Sequence, residues 1–237
     1  YFDNVDHTEL MWTLQDRITD PEVLDLIYGT LKAGVKENGQ VQVTGKGTPQ
    51  GGIVSPLLAN VYLNELDWWI KQWTEGPRGG PEDWTYVRYA DDFMILTNGD
   101  KETAEAMKER VEEFLVEELN LRLSQEKSSI RHAQDGLSFL GYDMVADSTS
   151  GGCKSYVPQE AKEYIRGRIS GATDGGTDVS VRRKIRSLNS VVRGWANYYK
   201  YCTDAGTVFN DVGHLLWHRM THWLAEKHKC SRKQLIQ

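Results

Sequence analysis

Asp91 and Asp92 stand side by side in the stretch YVRYADDFMILT, residues 86–97. Adjacent carboxylates repel each other, so a chain keeps such a pair either in a solvated turn or around a cation. Asp is a common turn residue, and the dipeptide alone leaves both readings open. The flanks favour the cation. Two runs of β-prone residues, Tyr86-Val87-Arg88-Tyr89 and Phe93-Met94-Ile95-Leu96, predict a hairpin with both acids at its tip. A solvated turn has no need of apolar strands on both sides. A metal site does benefit from a rigid platform that holds hard oxygen ligands at fixed geometry.

A second candidate lies upstream, in Gly45-Lys46-Gly47-Thr48-Pro49-Gln50-Gly51-Gly52. No GK[ST] ends the run and its glycines miss the dinucleotide spacing, so neither common phosphate-loop pattern applies. It leads straight into Ser55-Pro56, read as an N-cap followed by proline at the first helical position. Glycines ahead of a helix N-terminus leave backbone N–H groups free for a phosphate or a base edge, and Gln50 can add a directed contact. A flexible linker is the competing reading. Near the other end, Arg182, Arg183, Lys184, Arg186, Arg193 and Lys200 fall on or beside the faces of a helix not taken by its apolar stripe, a pattern that suits backbone phosphates.

The elements that position these groups read as an α+β chain. Helices are expected near residues 8–14, from Asp20-Pro21 with Val23, Leu24, Ile27 and Leu31 inward, from Ser55 with Leu58, Tyr62, Leu66, Trp69 and Trp73 inward, and over 101–118 with Ala104, Met107, Val111, Phe114 and Leu115 inward. A hairpin turning at Asn38-Gly39 is expected over 35–44, and a third β region around 128–130 and 137–145. Polar, loop-like sequence at 148–152 suggests a boundary before Pro158. Beyond it the chain reads as helical. Val181, Ile185, Leu188, Val192, Trp195, Tyr199 and Cys202 recur at steps of four and three, and another helix is expected over 208–227. His214, His218 and His222 lie along one face of that helix and read as a polar flank rather than a zinc site, because zinc usually draws ligands from more than one element. Trp195, Tyr198, Tyr199 and Tyr201 read as packing residues rather than base-stacking platforms.

Composition sets limits on function. The 237 residues are 39% hydrophobic, enough to bury a substantial core, and contain no apolar run of membrane-spanning length. Three scattered cysteines, Cys153, Cys202 and Cys230, argue for a reducing compartment. The net charge of -6 hides an asymmetry: residues 1–157 carry 14 Lys and Arg against 27 Asp and Glu, whereas residues 158–237 carry 14 against 7. An acidic part bearing carboxylates beside a basic part fits an enzyme that holds cations with one and a polyanion with the other.

Six blocks in order, YFDNVDH, GTPQGGIVSPLLANVYLNELD, YVRYADDFMIL, LRLSQEKS, FLGY and VVRGWANYYK, resemble the successive motifs of group II intron-encoded reverse transcriptases, or maturases, of bacteria and organelles. The resemblance covers most of the chain. It implies a right-hand polymerase, with a palm over 1–152 and a helical thumb, also called domain X, over 158–237. It implies an RNA-directed DNA polymerase that extends a primer 3′-hydroxyl with dNTPs on an RNA template, and that binds intron RNA to assist splicing. Mg²⁺ is the implied cofactor, with Mn²⁺ as a substitute. Two such ions about 4 Å apart need bridging carboxylates. Asp91 resembles a palm ligand for them, and Asp92 the adjacent carboxylate.

By the same resemblance, Phe2 corresponds to the aromatic residue that excludes a sugar 2′-hydroxyl, and Gln50, Gly51 and Gly52 to the loop at the nascent base pair and template. Lys127 corresponds to a proton donor to pyrophosphate, and Phe139, Leu140, Gly141 and Tyr142 to the grip on the primer end. Arg182, Arg183 and Arg186 would hold backbone phosphates of the template and primer. A further Asp ligand is expected five residues before Phe2, and fingers before that, so the chain is read as part of a longer polymerase. No cysteine cluster supports an endonuclease. A cytoplasmic bacterial location is expected, with an organellar one as the alternative; no membrane partner is expected and a homodimer is left open. The competing functions are a non-catalytic RNA-binding maturase, and a reverse transcriptase of retron, CRISPR-associated or diversity-generating type.

Overall fold

The computed structural model describes residues 5–32, 35–37, 40–42, 47, 52–75, 83–149 and 151–235. It divides into two compact units, Tyr1–Ile130 and Arg131–Gln237. Phe2, Gln50 and Gly51 lie outside the described residues, as do the Asn38-Gly39 pair and Val43.

The first unit is organised on a long helix. Helix α1 (His7–Gln15) begins where the Asp6 carboxylate accepts the Thr8 amide at 2.9 Å, and α2 (Pro21–Lys32) begins with proline at its first position. Strands β1 (Val35–Glu37) and β2 (Gln40–Gln42) pair antiparallel, with Glu37 opposite Gln40. Helix α3 (Ser55–Thr74) starts one residue earlier than expected, with Val54 in the capping position and Pro56 in the first turn. Its buried stripe of Leu58, Tyr62, Leu63, Leu66 and Ile70 shares one core with Leu10 and Leu14 of α1 and with Met107, Val111 and Leu115 of α4 (Lys101–Glu117). Burying each such side chain contributes about 1.5–3 kcal/mol. The Tyr62 hydroxyl, fully enclosed, donates to the Leu119 carbonyl at 2.7 Å, and Trp69 stacks on Phe114 with centroids 4.9 Å apart. Between α3 and α4 the chain forms an antiparallel hairpin of β3 (Trp84–Tyr89) and β4 (Asp92–Thr97).

In the second unit β5 (Leu137–Phe139), β6 (Tyr142–Asp147) and β7 (Gly152–Tyr156) form an antiparallel sheet in chain order. Helices α5 (Gln159–Thr173), α6 (Val181–Tyr199) and α7 (Ala205–His228) follow, then a 3-10 turn at Arg232–Leu235. Their core joins Val157, Ile165, Ile169, Trp195, Tyr199, Cys202, Val208 and Val212. The mixed helices and antiparallel sheets make the chain α+β.

Several expectations are corrected. Residues 128–130 are not a strand, and β7 begins at Gly152, the last residue of the loop-like stretch, because a short edge strand that opens with exposed Gly152, Cys153 and Lys154 carries no apolar alternation. The two compact units divide at Ile130–Arg131, and the second unit's core includes groups from its sheet and from the helices that follow it. Val23 is exposed, the inward side of α2 being Leu31 with Leu24 and Ile27. On α6 the roles of two neighbours are exchanged. Ile185 is 44% exposed, while Lys184 is only 9% exposed, with its ammonium donating to the Ala172 carbonyl at 2.9 Å and lying 5.0 Å from the Trp223 ring. A lysine can take an inward position when a carbonyl and an aromatic face meet its charge.

Candidate functional site

The β3–β4 hairpin is in register from Trp84 opposite Thr97 to Tyr89 opposite Asp92, so its loop is the pair Ala90-Asp91. Asp91 is therefore the turn residue and Asp92 the first residue of β4, both exposed. Among the described residues neither carboxylate is engaged by a hydrogen bond or an ion pair. Ala90 has φ +54°, a left-handed conformation that costs a non-glycine residue about 1–2 kcal/mol and persists only where its surroundings enforce it.

What enforces it is the side of β3 that faces the core. Burial alternates along the strand, placing Trp84, Tyr86 and Arg88 inward. A guanidinium at such a position needs acceptors, and α3 supplies them. Arg88 Nε donates to Asp67 Oδ1 at 2.7 Å, Nη2 donates to Asp67 Oδ2, and Nη1 donates both to Asn60 Oδ1 at 2.9 Å and to the Ala90 carbonyl at 2.8 Å. Tyr86 donates its hydroxyl to Asp67 Oδ1 at 2.9 Å. Burial raises the Tyr86 phenol far above its ordinary pKa, and the Asp67 charge adds to the effect, so the hydroxyl stays a donor. One arginine thus ties the turn that presents Asp91 to the central helix of the unit.

The oxygen donors at this tip are of the kind that suits a hard divalent cation. Among the described residues no group of three or more His, Cys, Asp or Glu side chains is placed to hold a metal ion. Asp91 and Asp92 fit such a site as two of its ligands.

The other sequence-selected residues are distributed between the units. Gly52 lies three residues ahead of the first residue of α3, its carbonyl accepting the Ser55 amide at 3.2 Å. Gly47 of the same loop is bound from both sides by the first motif block: its amide donates to the Val5 carbonyl at 2.8 Å, and its carbonyl lies 2.6 Å from His7 Nε2. Lys127 is exposed in a turn whose Ser128 amide returns to the Ser124 carbonyl at 2.8 Å. These residues belong to the first unit, with Asp91 and Asp92.

Phe139, Leu140, Gly141 and Tyr142 belong to the second unit, where they form the end of β5, a two-residue turn and the start of β6. Leu140 and Gly141 both have positive φ, +48° and +73°. Such mirror-image turns match the twist of a hairpin, yet the first position is occupied by a leucine, which resists it. The turn is held by α6. Tyr198 donates its hydroxyl to the Leu140 carbonyl at 2.6 Å, Tyr142 donates its hydroxyl to the Tyr198 carbonyl at 2.6 Å, and the two rings stack with centroids 4.9 Å apart. Burial, helped by the neighbouring Tyr198, pushes the Tyr142 phenol up and keeps it protonated. Arg182, Arg183 and Arg186 are exposed on α6 and, among the described residues, have no ion-pair partner.

Asp67, Asn60, Arg88 and Tyr198 lie inside the motif blocks, and the structure gives them a positioning role that the blocks alone do not assign. A signal for two of them was available: Tyr86 and Arg88 share one face of a predicted strand, and an arginine on the face of a core tyrosine calls for a carboxylate on the element it packs against.

Residues 1–144 match the family described as reverse transcriptase (RNA-dependent DNA polymerase), and residues 162–237 match the group II intron maturase-specific domain. The group II intron-encoded protein LtrA of Lactococcus lactis subsp. cremoris is 31% identical, covering 99% of this chain and 53% of its own length. Protein YkfC of Escherichia coli (strain K12) is 34% identical over 68% of this chain and 49% of its own length. A putative COX1/OXI3 intron 2 protein of Saccharomyces cerevisiae is 28% identical over 60% of this chain. The chain spans about half the length of the first two relatives. With a reverse transcriptase match over its first 144 residues, a maturase-specific domain after it and an intron-encoded relative aligned along nearly all of it, this chain belongs to the group II intron-encoded reverse transcriptases.

Proposed function

We propose that this chain is the palm and thumb portion of an RNA-templated DNA polymerase that also binds group II intron RNA. The observation that carries the proposal is the hairpin tip: two adjacent, exposed, unengaged carboxylates on a turn fixed to the core by Arg88 and Asp67. In this reading residues 1–152 supply the palm and residues 158–237 the thumb. Among the described residues no helix is long and apolar enough to cross a membrane.

The reaction is an in-line phosphoryl transfer in which the primer 3′-hydroxyl attacks the α-phosphorus of a dNTP and pyrophosphate leaves. Divalent cations, Mg²⁺ in the proposed enzyme, lower the pKa of that hydroxyl and neutralise the departing charge when bound. Asp91 and Asp92 are the ligands this chain contributes. Arg88 keeps them presented by holding the Ala90 carbonyl, so that no reorganisation of the turn is needed as charge develops. Lys127 is assigned the proton donated to pyrophosphate. Phe2 is assigned the exclusion of a 2′-hydroxyl, and Gln50, Gly51 and Gly52 the template side of the nascent base pair. Phe139, Leu140, Gly141 and Tyr142 grip the primer end, and Arg182, Arg183 and Arg186 hold phosphates without reading sequence.

The test is extension of a DNA primer on an RNA template by the full-length protein. Extension that depends on Mg²⁺ and is lost in Asp91→Asn, with intron RNA binding retained, is the expected result. Asp91→Asn extending at the wild-type rate removes the site assignment. A wild-type protein that binds intron RNA but never extends a primer is instead a non-catalytic maturase.

A further inference from the structure

The sequence that matches the reverse transcriptase family ends at residue 144, and the maturase-specific match begins at 162, yet the structural division falls earlier, at Ile130–Arg131. The last part of the polymerase match, including the Leu140-Gly141 turn, is therefore folded together with the maturase helices. The contact that joins them is reciprocal. Tyr198 of α6 donates to the Leu140 carbonyl at 2.6 Å, and Tyr142, just past the turn, donates to the Tyr198 carbonyl at 2.6 Å.

Three features give this contact more weight than an ordinary surface hydrogen bond. Leu140, the acceptor, has φ +48°, a conformation that a leucine leaves unless neighbouring groups hold it. The rings of Tyr142 and Tyr198 stack at an interplanar angle of 21°, which fixes the direction of both hydroxyls. Gly141 lies against Tyr198 and the residue after it: a Cβ placed there would sit 3.7 Å from the hydroxyls of both Tyr198 and Tyr199. The turn is thus shaped by two adjacent tyrosines of α6.

From this geometry we infer that Tyr198 is a positioning residue for the primer end: it holds the Leu140-Gly141 turn in the one conformation that engages the primer, and so makes primer binding by the polymerase depend on a helix of the maturase-specific domain. The inference rests on the proposal that residues 139–142 grip the primer. Its signature is selective. Loss of Tyr198 weakens the hold on primer–template and leaves the handling of dNTP and the chemical step alone.

The experiment is steady-state primer extension by the full-length protein and its Tyr198→Phe, Tyr142→Phe and double variants, together with anisotropy of a labelled primer–template in the absence of dNTP. Tyr198→Phe keeps the ring stack and deletes only the donor to Leu140. For Tyr198→Phe the expected result is a rise in KM for primer–template of roughly three- to tenfold, matched in the anisotropy Kd, with kcat and the KM for dNTP within about twofold of wild type. The double variant should weaken primer binding by less than the product of the two single effects, as coupled residues do. Thermal melts identify variants that merely fail to fold, and for any such variant the Tyr142→Phe kinetics carry the test. A wild-type protein that extends normally, with both single variants holding primer–template as tightly as it does, overturns this inference alone. A wild-type protein that does not extend overturns the polymerase reading and this inference with it.

Discussion

Arg88 meets Asp67 through two arms of its guanidinium, Nε donating to Oδ1 at 2.7 Å and Nη2 to Oδ2, while its third nitrogen reaches the Ala90 carbonyl one residue before Asp91. The pair is mostly enclosed, the two side chains being 11% and 25% exposed. Removing one partner would leave the other charge without compensation, so Asp67→Asn should destabilise the first unit by about 2–4 kcal/mol. Arg88→Lys keeps the charge but cannot reach Asp67 and Ala90 together, because an ammonium lacks the fork. It should keep most of the stability and lose about ten- to a hundredfold in single-turnover extension, the scale on which misplacement of a reacting group by a fraction of an ångström acts. Urea melts and rapid-quench extension check the two parts. A lysine variant as fast as wild type would show that the turn holds its shape without Arg88.

That relationship also marks where the sequence was legible. The hairpin at 84–97, α3 with its Leu58, Tyr62 and Leu66 stripe, and α4 with its Met107, Val111 and Leu115 stripe follow from periodicity, because each buries one continuous apolar face. Polar residues broke the pattern where they were inward. Lys184 lies inside against Ala172 and Trp223, and Asp67 on α3 and Arg88 on β3 find each other across 21 positions. Spacing within one element cannot report a partner on another. The turn at Leu140-Gly141 was recognisable as a motif, but its dependence on Tyr198, 58 positions away, required the packed structure.

Alkaline pH should weaken the first unit through its buried tyrosines. Burial pushes the Tyr62 phenol up to about 12, against an ordinary value of 10.0, and raises Tyr86 as well. A group whose pKa is higher in the folded than in the unfolded state contributes stability that is complete below the unfolded value and is lost as pH rises toward the folded one. Stability of the first unit should therefore be flat below pH 10 in this respect and fall between about pH 10 and 12, where the unfolded chain releases protons the folded chain retains. Tyr62→Phe should lower stability near neutral pH by about 1–2 kcal/mol, through the unpaired Leu119 carbonyl, and should shallow the alkaline slope. Denaturant melts across pH 8 to 12 measure both effects, and an unchanged slope in the variant would place the alkaline transition elsewhere.

Lys184 ties down the last turn of α5, and Lys227 the loop that joins α5 to α6. Lys184 donates to Ala172 at 2.9 Å, Lys227 donates to Thr177 at 2.6 Å and Val179 at 2.9 Å, and the ammoniums lie 5.0 and 5.5 Å from the ring of the fully buried Trp223. Lys184→Met preserves the buried stem and deletes the donor and the charge. It should cost about 1–3 kcal/mol, from an unmet carbonyl and a lost cation–π contact. If the Tm of the second unit is the same in Lys184→Met, the ammonium contributes nothing beyond the packing of its stem.

The three exposed arginines at the start of α6 give the last prediction. Arg182 and Arg186 are four residues apart and Arg183 and Arg186 three, so the set lines one side of the helix, opposite the buried Leu188 and Trp195 face only in part. None is spent on an acid among the described residues, so each is available to a phosphate. Each phosphate contact releases condensed counterions, and its loss should lower both the affinity and the steepness with which salt weakens it. Replacing all three with glutamine should reduce the slope of log K against log salt by about two to three, with sequence preference unchanged because phosphates carry none. Binding of a labelled template–primer duplex and of intron RNA, each titrated at several salt concentrations, separates two outcomes: a slope lowered for both polyanions makes this face a shared grip, and a slope lowered for intron RNA alone reserves it for splicing. An unchanged slope for both would move the phosphate contacts off this side of α6.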